Sequence, residues 1–117
     1  MAEIARILIV DDDSQLRGVL SLTFENAGYY VKTAASGDDA IAILTEERFD
    51  LMLSDIMMPG MNGHQLAQWV AAHCPATRTA LMSGYDGVRE PHPYQTLPKP
   101  FSPKEVLTFV EKILASR

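Results

Sequence analysis

Carboxylates stand directly after two apolar runs of this sequence. Residues 7–10 lead into three consecutive aspartates, residues 11–13, and residues 51–54 lead into Asp55. If both runs are parallel strands, these carboxylates meet at the carboxyl edge of a sheet, where open α/β sheets bind their ligands. Carboxylates that lie together repel one another unless protons or a cation intervene, and hard oxygen ligands suit Mg²⁺. The sequence therefore predicts a Mg²⁺ site built from the aspartates of both runs.

Helix capping offers a simpler explanation for part of this acidic cluster. Aspartate is a preferred N-cap, so one of residues 11–13 is expected to cap the first helix. Capping needs only one acid, however, and it does not account for Asp55. Helix capping and metal binding are therefore both expected, with Asp11, Asp12 and Asp55 as the candidate metal ligands.

A hydroxyl and an ammonium group follow the next two apolar segments. Ser83 ends the run at residues 80–82, and Lys99 comes soon after Leu97. At the same sheet edge, Lys99 could hold one oxygen of a phosphoryl group on Asp55, and Ser83 could donate to a second oxygen. Phosphoryl transfer needs little beyond such positioning and charge neutralisation. The alternatives are that Lys99 is only a counter-ion and that Ser83 is only a turn residue.

The elements that must position these groups alternate regularly along the chain. Apolar runs alternate with amphipathic stretches, which predicts βα units and a parallel sheet. The predicted strands are residues 7–10, 30–34, 51–54 and 79–82 and a short fifth strand around Thr96 and Leu97. Glycines and prolines interrupt the fourth of five expected helices, so this helix is predicted to be short or degenerate. Right-handed crossovers then give a doubly wound, flavodoxin-like (βα)5 fold with strand order 2-1-3-4-5.

Composition narrows the class of protein further. The chain has 117 residues, which predicts one domain over residues 1–117, and 47% of them are hydrophobic, enough for a core. A net charge of −5 argues against binding to nucleic acid, and no apolar stretch reaches the ~20 residues of a membrane helix. Cys74 has no second cysteine to pair with. A reducing, cytoplasmic location is therefore expected.

Four motifs resemble those of a bacterial two-component response regulator receiver domain, and they span nearly the whole chain. They are ILIVDDD at residues 7–13, LSDIMMPGMNG at 53–63, ALMSG at 80–84 and KPF at 99–101. The resemblance implies a phosphoacceptor signalling domain of a phosphorelay. Its expected partner is a histidine kinase or a phosphotransfer protein, which donates a phosphoryl group from a phosphohistidine. The domain could be free-standing or a receiver of a hybrid histidine kinase.

The resemblance also implies a role for each candidate residue. Asp55 would be the phosphoacceptor, Ser83 the switch hydroxyl and Lys99 the phosphate-binding lysine. The implied Mg²⁺ ligands are Asp11, Asp12, Asp55 and the backbone carbonyl of Met57. Receivers often have a cis peptide after this lysine, which would be the bond to Pro100.

Two departures from the family pattern concern the output of the domain. Thr96 stands where receivers usually have Tyr or Phe as a rotameric switch, and the segment between Ser83 and Lys99 is shorter than usual. Both departures fall on a face that many receivers use for output. The resemblance therefore implies intact phosphorylation chemistry and an unusual way of transmitting it.

Three other classes of protein fit less well. An aspartyl-phosphate phosphatase needs a second aspartate two residues after the nucleophile, where this chain has Met57. A flavin-binding module needs a phosphate loop rich in Ser, Thr and Gly after the first strand, where this chain has aspartates. A degenerate receiver that acts only as a docking module would lack some of the core residues, and all of them are present.

Overall fold

Five parallel strands form one sheet in the computed structural model, which describes residues 4–84 and 94–116. The strands are β1 (Arg6–Val10), β2 (Tyr30–Ala34), β3 (Leu51–Asp55), β4 (Arg78–Ser83) and β5 (Gln95–Pro98). Their spatial order is β2-β1-β3-β4-β5, and every neighbouring pair is parallel. The predicted order 2-1-3-4-5 is confirmed. At their carboxyl ends β3 and β4 each extend one residue further than predicted, so Asp55 and Ser83 are the last residues of their strands, and β4 also begins one residue earlier, at Arg78.

The described residues contain four helices. They are α1 (Ser14–Asn26), α2 (Gly37–Leu44), α3 (Gly63–His73) and α4 (Pro103–Ala115). Asp13 caps α1 by accepting hydrogen bonds from the first-turn amides, so one of the three consecutive aspartates is indeed a cap. The predicted short or degenerate helix between β4 and β5 falls on residues 85–93, which lie outside the described residues.

The sheet is covered on both faces, as a doubly wound fold requires. Ile7 and Ile9 of β1 pack with α1 and α4 on one face. Leu8 and Val10 of the same strand pack with α2 and α3 on the other. All five residues of β3 are buried, which explains why the strand begins with three consecutive apolar residues, 51–53, before it ends in Ser54 and Asp55. Among the helices described, none has the length and apolar character needed to cross a membrane.

Candidate functional site

The carboxyl ends of β1 and β3 lie side by side and bring three carboxylates together. Val10 is in register with Ser54, so both strands end at the same level of the sheet. One carboxylate oxygen from each of Asp11, Asp12 and Asp55 lies within 4.8 Å of the others. Strand pairing between β1 and β3 thus produces the acidic cluster expected from the sequence.

Asp11 is fully buried, and each of its polar atoms along the turn has a partner. Its amide donates to the Ala34 carbonyl at 3.1 Å. Its Oδ1 accepts from the Asp13 amide at 2.9 Å, and its Oδ2 accepts from Lys99 Nζ at 3.1 Å. Asp12, in contrast, is exposed. The buried acid is therefore fixed by the protein, whereas Asp12 leaves the cluster accessible to an ion from solution.

Lys99 reaches the cluster from the end of β5. Its backbone amide donates to the Ser83 carbonyl at 2.7 Å, which fixes the start of the side chain at the sheet edge. From there, Nζ lies 3.1 Å from Asp11 Oδ2 and 3.4 Å from Asp55 Oδ1. Burial lowers the pKa of Lys99, but the hydrogen bond and charge of Asp11, together with Asp55, outweigh it and leave the pKa raised. The lysine is therefore charged, and its peptide bond to Pro100 is cis, as the resemblance implied.

Asp55 is only 6% exposed, and its charged neighbours include both an acid, Asp11, and a base, Lys99. Burial raises its pKa most, and the nearby charge of Asp11 raises it further, while Lys99 opposes both effects. The cluster thus has three carboxylates, and the ammonium group of Lys99 contacts two of them, Asp11 and Asp55. This shortage of positive charge favours the binding of a cation at the cluster.

Ser83 and Met57 flank Asp55 in different ways. Asp55 is in register with Met82, so Ser83 lies one residue beyond the phosphoacceptor candidate on the neighbouring strand, and it is buried. The Met57 side chain is 62% exposed and points away from the core. What Met57 can offer a metal is its backbone carbonyl, in line with the role that the resemblance implies.

Gly63, the last residue of the motif at residues 53–63, brings α3 against the backbone of Asp55. A Cβ atom at this position would lie 2.4 Å from the Asp55 carbonyl oxygen and 2.9 Å from Ile56 Cα. The Gly63 amide also donates to the Ile56 carbonyl at 2.9 Å. A glycine is required here because the two backbones are too close for any side chain, a constraint visible only in the folded chain.

Arg17 is a second residue that the sequence did not single out. It lies on α1, and its Nη1 donates to the backbone carbonyl of Asp11 at 2.7 Å. The sequence shows a basic residue in the first helix, soon after three aspartates. It does not show that the Arg17 side chain turns back to the Asp11 carbonyl.

Comparison with known proteins identifies the family. Residues 7–111 match the response regulator receiver domain, and the chain belongs to this family. It is 34% identical over 115 residues to the response regulator receiver protein CpdR of Brucella abortus, covering 93% of this chain and 96% of CpdR. It is 31% identical over 114 residues to the transcriptional regulatory protein ResD of Bacillus subtilis, covering 93% of this chain and 48% of ResD. The chain thus spans about half of this longer relative.

Solved structures agree with this assignment. The chemotaxis response regulator CheY4 of Vibrio cholerae superposes with a TM-score of 0.88 at 29% identity, covering 95% of this chain and 99% of CheY4. The response regulator TrrA of Thermotoga maritima, solved in complex with Mg²⁺-BeF, superposes with a TM-score of 0.86 at 27% identity, covering 94% of this chain and 99% of TrrA. The chain is therefore a phosphoacceptor signalling domain of a two-component system with the flavodoxin-like fold. The phosphatase-like and docking-only alternatives are not favoured.

Proposed function

We propose that Asp55 accepts a phosphoryl group from the phosphohistidine of a histidine kinase or phosphotransfer protein, and that residues 1–117 act as one receiver domain. The observation that supports this most directly is the distance of 3.4 Å between Asp55 Oδ1 and Lys99 Nζ, within a cluster of three carboxylates. A nucleophilic carboxylate, a fixed cation and ligands for a second cation are the parts that phosphoryl transfer needs.

The donor set fits Mg²⁺ better than a transition metal. Asp11, Asp12 and Asp55 supply carboxylate oxygens, and the Met57 carbonyl would add a fourth oxygen. Mg²⁺ prefers such hard ligands and keeps several of its waters, which suits a site open to solvent at Asp12. When bound, Mg²⁺ would neutralise charge on the carboxylates and on the phosphoryl oxygens. The related protein TrrA was solved in complex with Mg²⁺-BeF, which supports the binding of Mg²⁺ by this chain.

Asp55, Lys99 and Ser83 would each have a separate role in the phosphoryl transfer. A carboxylate oxygen of Asp55 forms a bond to phosphorus as the phosphorus–nitrogen bond to the donor histidine breaks. Lys99, which already contacts two carboxylates, transfers one hydrogen bond to a phosphoryl oxygen. The Ser83 hydroxyl, one residue beyond the level of Asp55 on β4, donates to another oxygen. Because Lys99 already lies beside Asp55, little reorganisation is needed on that side of the phosphoryl group, whereas Ser83 would move toward it.

The domain would work as a signalling switch and not as an enzyme with a separate substrate. It would catalyse its own phosphorylation and dephosphorylation through Lys99, Ser83 and the metal site. With Thr96 in place of an aromatic lever, the movement of Ser83 toward the phosphoryl group would be transmitted through the backbone after β4.

Labelling with a small phosphodonor tests the proposal. Incubation with acetyl phosphate and Mg²⁺ should add one phosphoryl group, detected by intact mass, and chelation of Mg²⁺ should prevent it. Asp55→Asn should abolish labelling, whereas Asp38→Asn, which changes an exposed aspartate of α2, should not. Equal labelling of wild type and Asp55→Asn would show that another residue is the acceptor. A wild-type protein that is never labelled would instead be a docking module.

A further inference from the structure

Arg17 connects the first helix to the strand end that carries two of the three acids. Its guanidinium donates through Nη1 to the Asp11 carbonyl at 2.7 Å, a short bond for a charged donor. Arg17 is half-buried and Asp11 is fully buried, so this hydrogen bond is partly shielded from water. Shielding makes it stronger and more directional than a bond at the open surface.

This bond completes the set of contacts that hold Asp11. Its amide is bound by Ala34 and its two carboxylate oxygens by Asp13 and Lys99, so the carbonyl is the remaining polar group, and Arg17 takes it. The carbonyl of Asp11 belongs to the peptide unit that it shares with Asp12. A contact that fixes the plane of this peptide also fixes the direction in which Asp12 leaves the strand.

On the other side of Asp12, the chain is held by the helix cap. Asp13 accepts from the amides of Gln15 and Leu16 and donates its own amide to Asp11. Asp12 itself is exposed and reaches the cluster from between these two anchors. The position of the Asp12 carboxylate therefore depends on the two flanking peptide units. Arg17 holds the one on the amino side, between Asp11 and Asp12.

We infer that Arg17 is a positioning residue for the metal site and that it sets the Mg²⁺ affinity by orienting the Asp11–Asp12 peptide. The inference rests on the proposed function and extends it to a residue outside the acidic cluster. Outer contacts that orient metal ligands commonly change metal affinity by about 10–100-fold when they are removed.

The charge of Arg17 predicts the opposite effect, and this makes the inference testable. A guanidinium near three carboxylates opposes the binding of a second cation, so its removal should tighten Mg²⁺ binding if charge alone matters. If Arg17 acts by positioning, its removal should weaken Mg²⁺ binding despite the more negative site. The sign of the change therefore separates the two roles.

The experiment measures Mg²⁺ affinity of the intact chain by isothermal titration calorimetry, well below the melting temperature. Arg17→Met should raise the Mg²⁺ dissociation constant about tenfold, the lower end of the usual range for such contacts. Arg17→Lys should fall between Arg17→Met and wild type, since an ammonium can reach the carbonyl but lacks the planar fork. The matched control is Arg78→Met, because the Arg78 guanidinium also donates to a backbone carbonyl, that of Ile113, at the opposite edge of the sheet. It should lower the melting temperature and leave the dissociation constant unchanged.

The outcomes keep the inference separate from the proposed function. Unchanged or tighter Mg²⁺ binding in Arg17→Met would overturn the inference while leaving the metal site intact. If Arg17→Met does not fold, Arg17→Gln, a polar variant without the guanidinium, decides, and an affinity equal to wild type in that variant would overturn the inference. If wild type binds no Mg²⁺, or Asp12→Ala binds it equally well, the proposed metal site itself is wrong.

Discussion

Replacing Lys99 with methionine removes the ammonium group that contacts Asp11 and Asp55, and the structure allows the cost in stability to be estimated. Nζ lies 3.1 Å from Asp11 and 3.4 Å from Asp55. At an effective dielectric constant of about 20, each contact corresponds to about 5 kcal/mol of Coulomb attraction before desolvation is subtracted. Removing one partner of a buried ion pair has a measured net cost of about 3–5 kcal/mol.

We expect Lys99→Met to lose about 3 kcal/mol of stability without divalent cations, the lower end of that range, because the remaining acids can take up protons. For a domain of this size, that corresponds to a fall in melting temperature of about 10 °C. Saturating Mg²⁺ should recover much of the loss, because the ion replaces the missing positive charge and stabilises the folded state by mass action. Mg²⁺ should thus raise the melting temperature of the variant more than that of wild type.

Thermal unfolding followed by circular dichroism, with Mg²⁺ and with a chelator, measures both effects. Lys104→Met is the control, since it removes an exposed lysine from the start of α4 and should melt close to wild type in both conditions. A loss in Lys99→Met that is the same with and without Mg²⁺ would refute the reasoning, because the lysine and the metal would then not compensate for the same charges.

Two further changes test the electrostatics and the packing of the site. Burial and the charge of Asp11 raise the pKa of Asp55, so the native state binds the Asp55 proton more tightly than the unfolded chain does. The stability of the metal-free protein should therefore fall as pH rises from the Asp55 pKa of the unfolded chain to that of the folded protein. Melting curves of metal-free Asp55→Asn should therefore lie above those of wild type at neutral pH and converge with them in acid; an equal gap at both pH values would count against this account. Gly63→Ala should cost about 1–3 kcal/mol in denaturant unfolding and slow acetyl phosphate labelling, since its Cβ would meet the Asp55 carbonyl. Gly18→Ala, where a Cβ meets nothing within 4 Å, should instead be neutral or stabilising, and equal losses in the two alanine variants would argue against the backbone clash.

The sheet could be predicted from the sequence because its signals are local. A strand buried on both faces favours consecutive apolar residues, which β1 supplies at residues 7–10 and β3 at residues 51–53. The capping residues of α1 and α4 stand where local hydrogen bonding favours them, at Asp13 and Ser102. The meeting of Asp11 and Asp55 followed from the parallel arrangement alone, since strands that run the same way end at the same edge.

The features that the sequence did not reveal depend on backbone approach and side-chain direction in the folded chain, although the residues in contact lie within ten positions of each other. Gly63 resembles an ordinary turn glycine until α3 is seen against the Asp55 backbone. Arg17 resembles an ordinary surface residue of an amphipathic helix until its side chain is seen to turn back to β1. Asp55 was expected just after its strand and proved to be its last residue, because pairing with β4 continues the ladder to Met82. Neither a side-chain direction nor the end of a ladder is encoded by the residue itself.

The bond between Lys99 and Asp11 joins positions 88 residues apart, and this separation has a consequence for the order of events during synthesis. Chains emerge from the ribosome amino end first, at about 5–20 residues per second. All three carboxylates therefore leave the exit tunnel several seconds before Lys99 does. In that interval β1 and β3 can pair only by bringing like charges together with no lysine to offset them. A nascent chain would rely on protons or ions from the surrounding solution as temporary counter-ions until β5 joins the sheet.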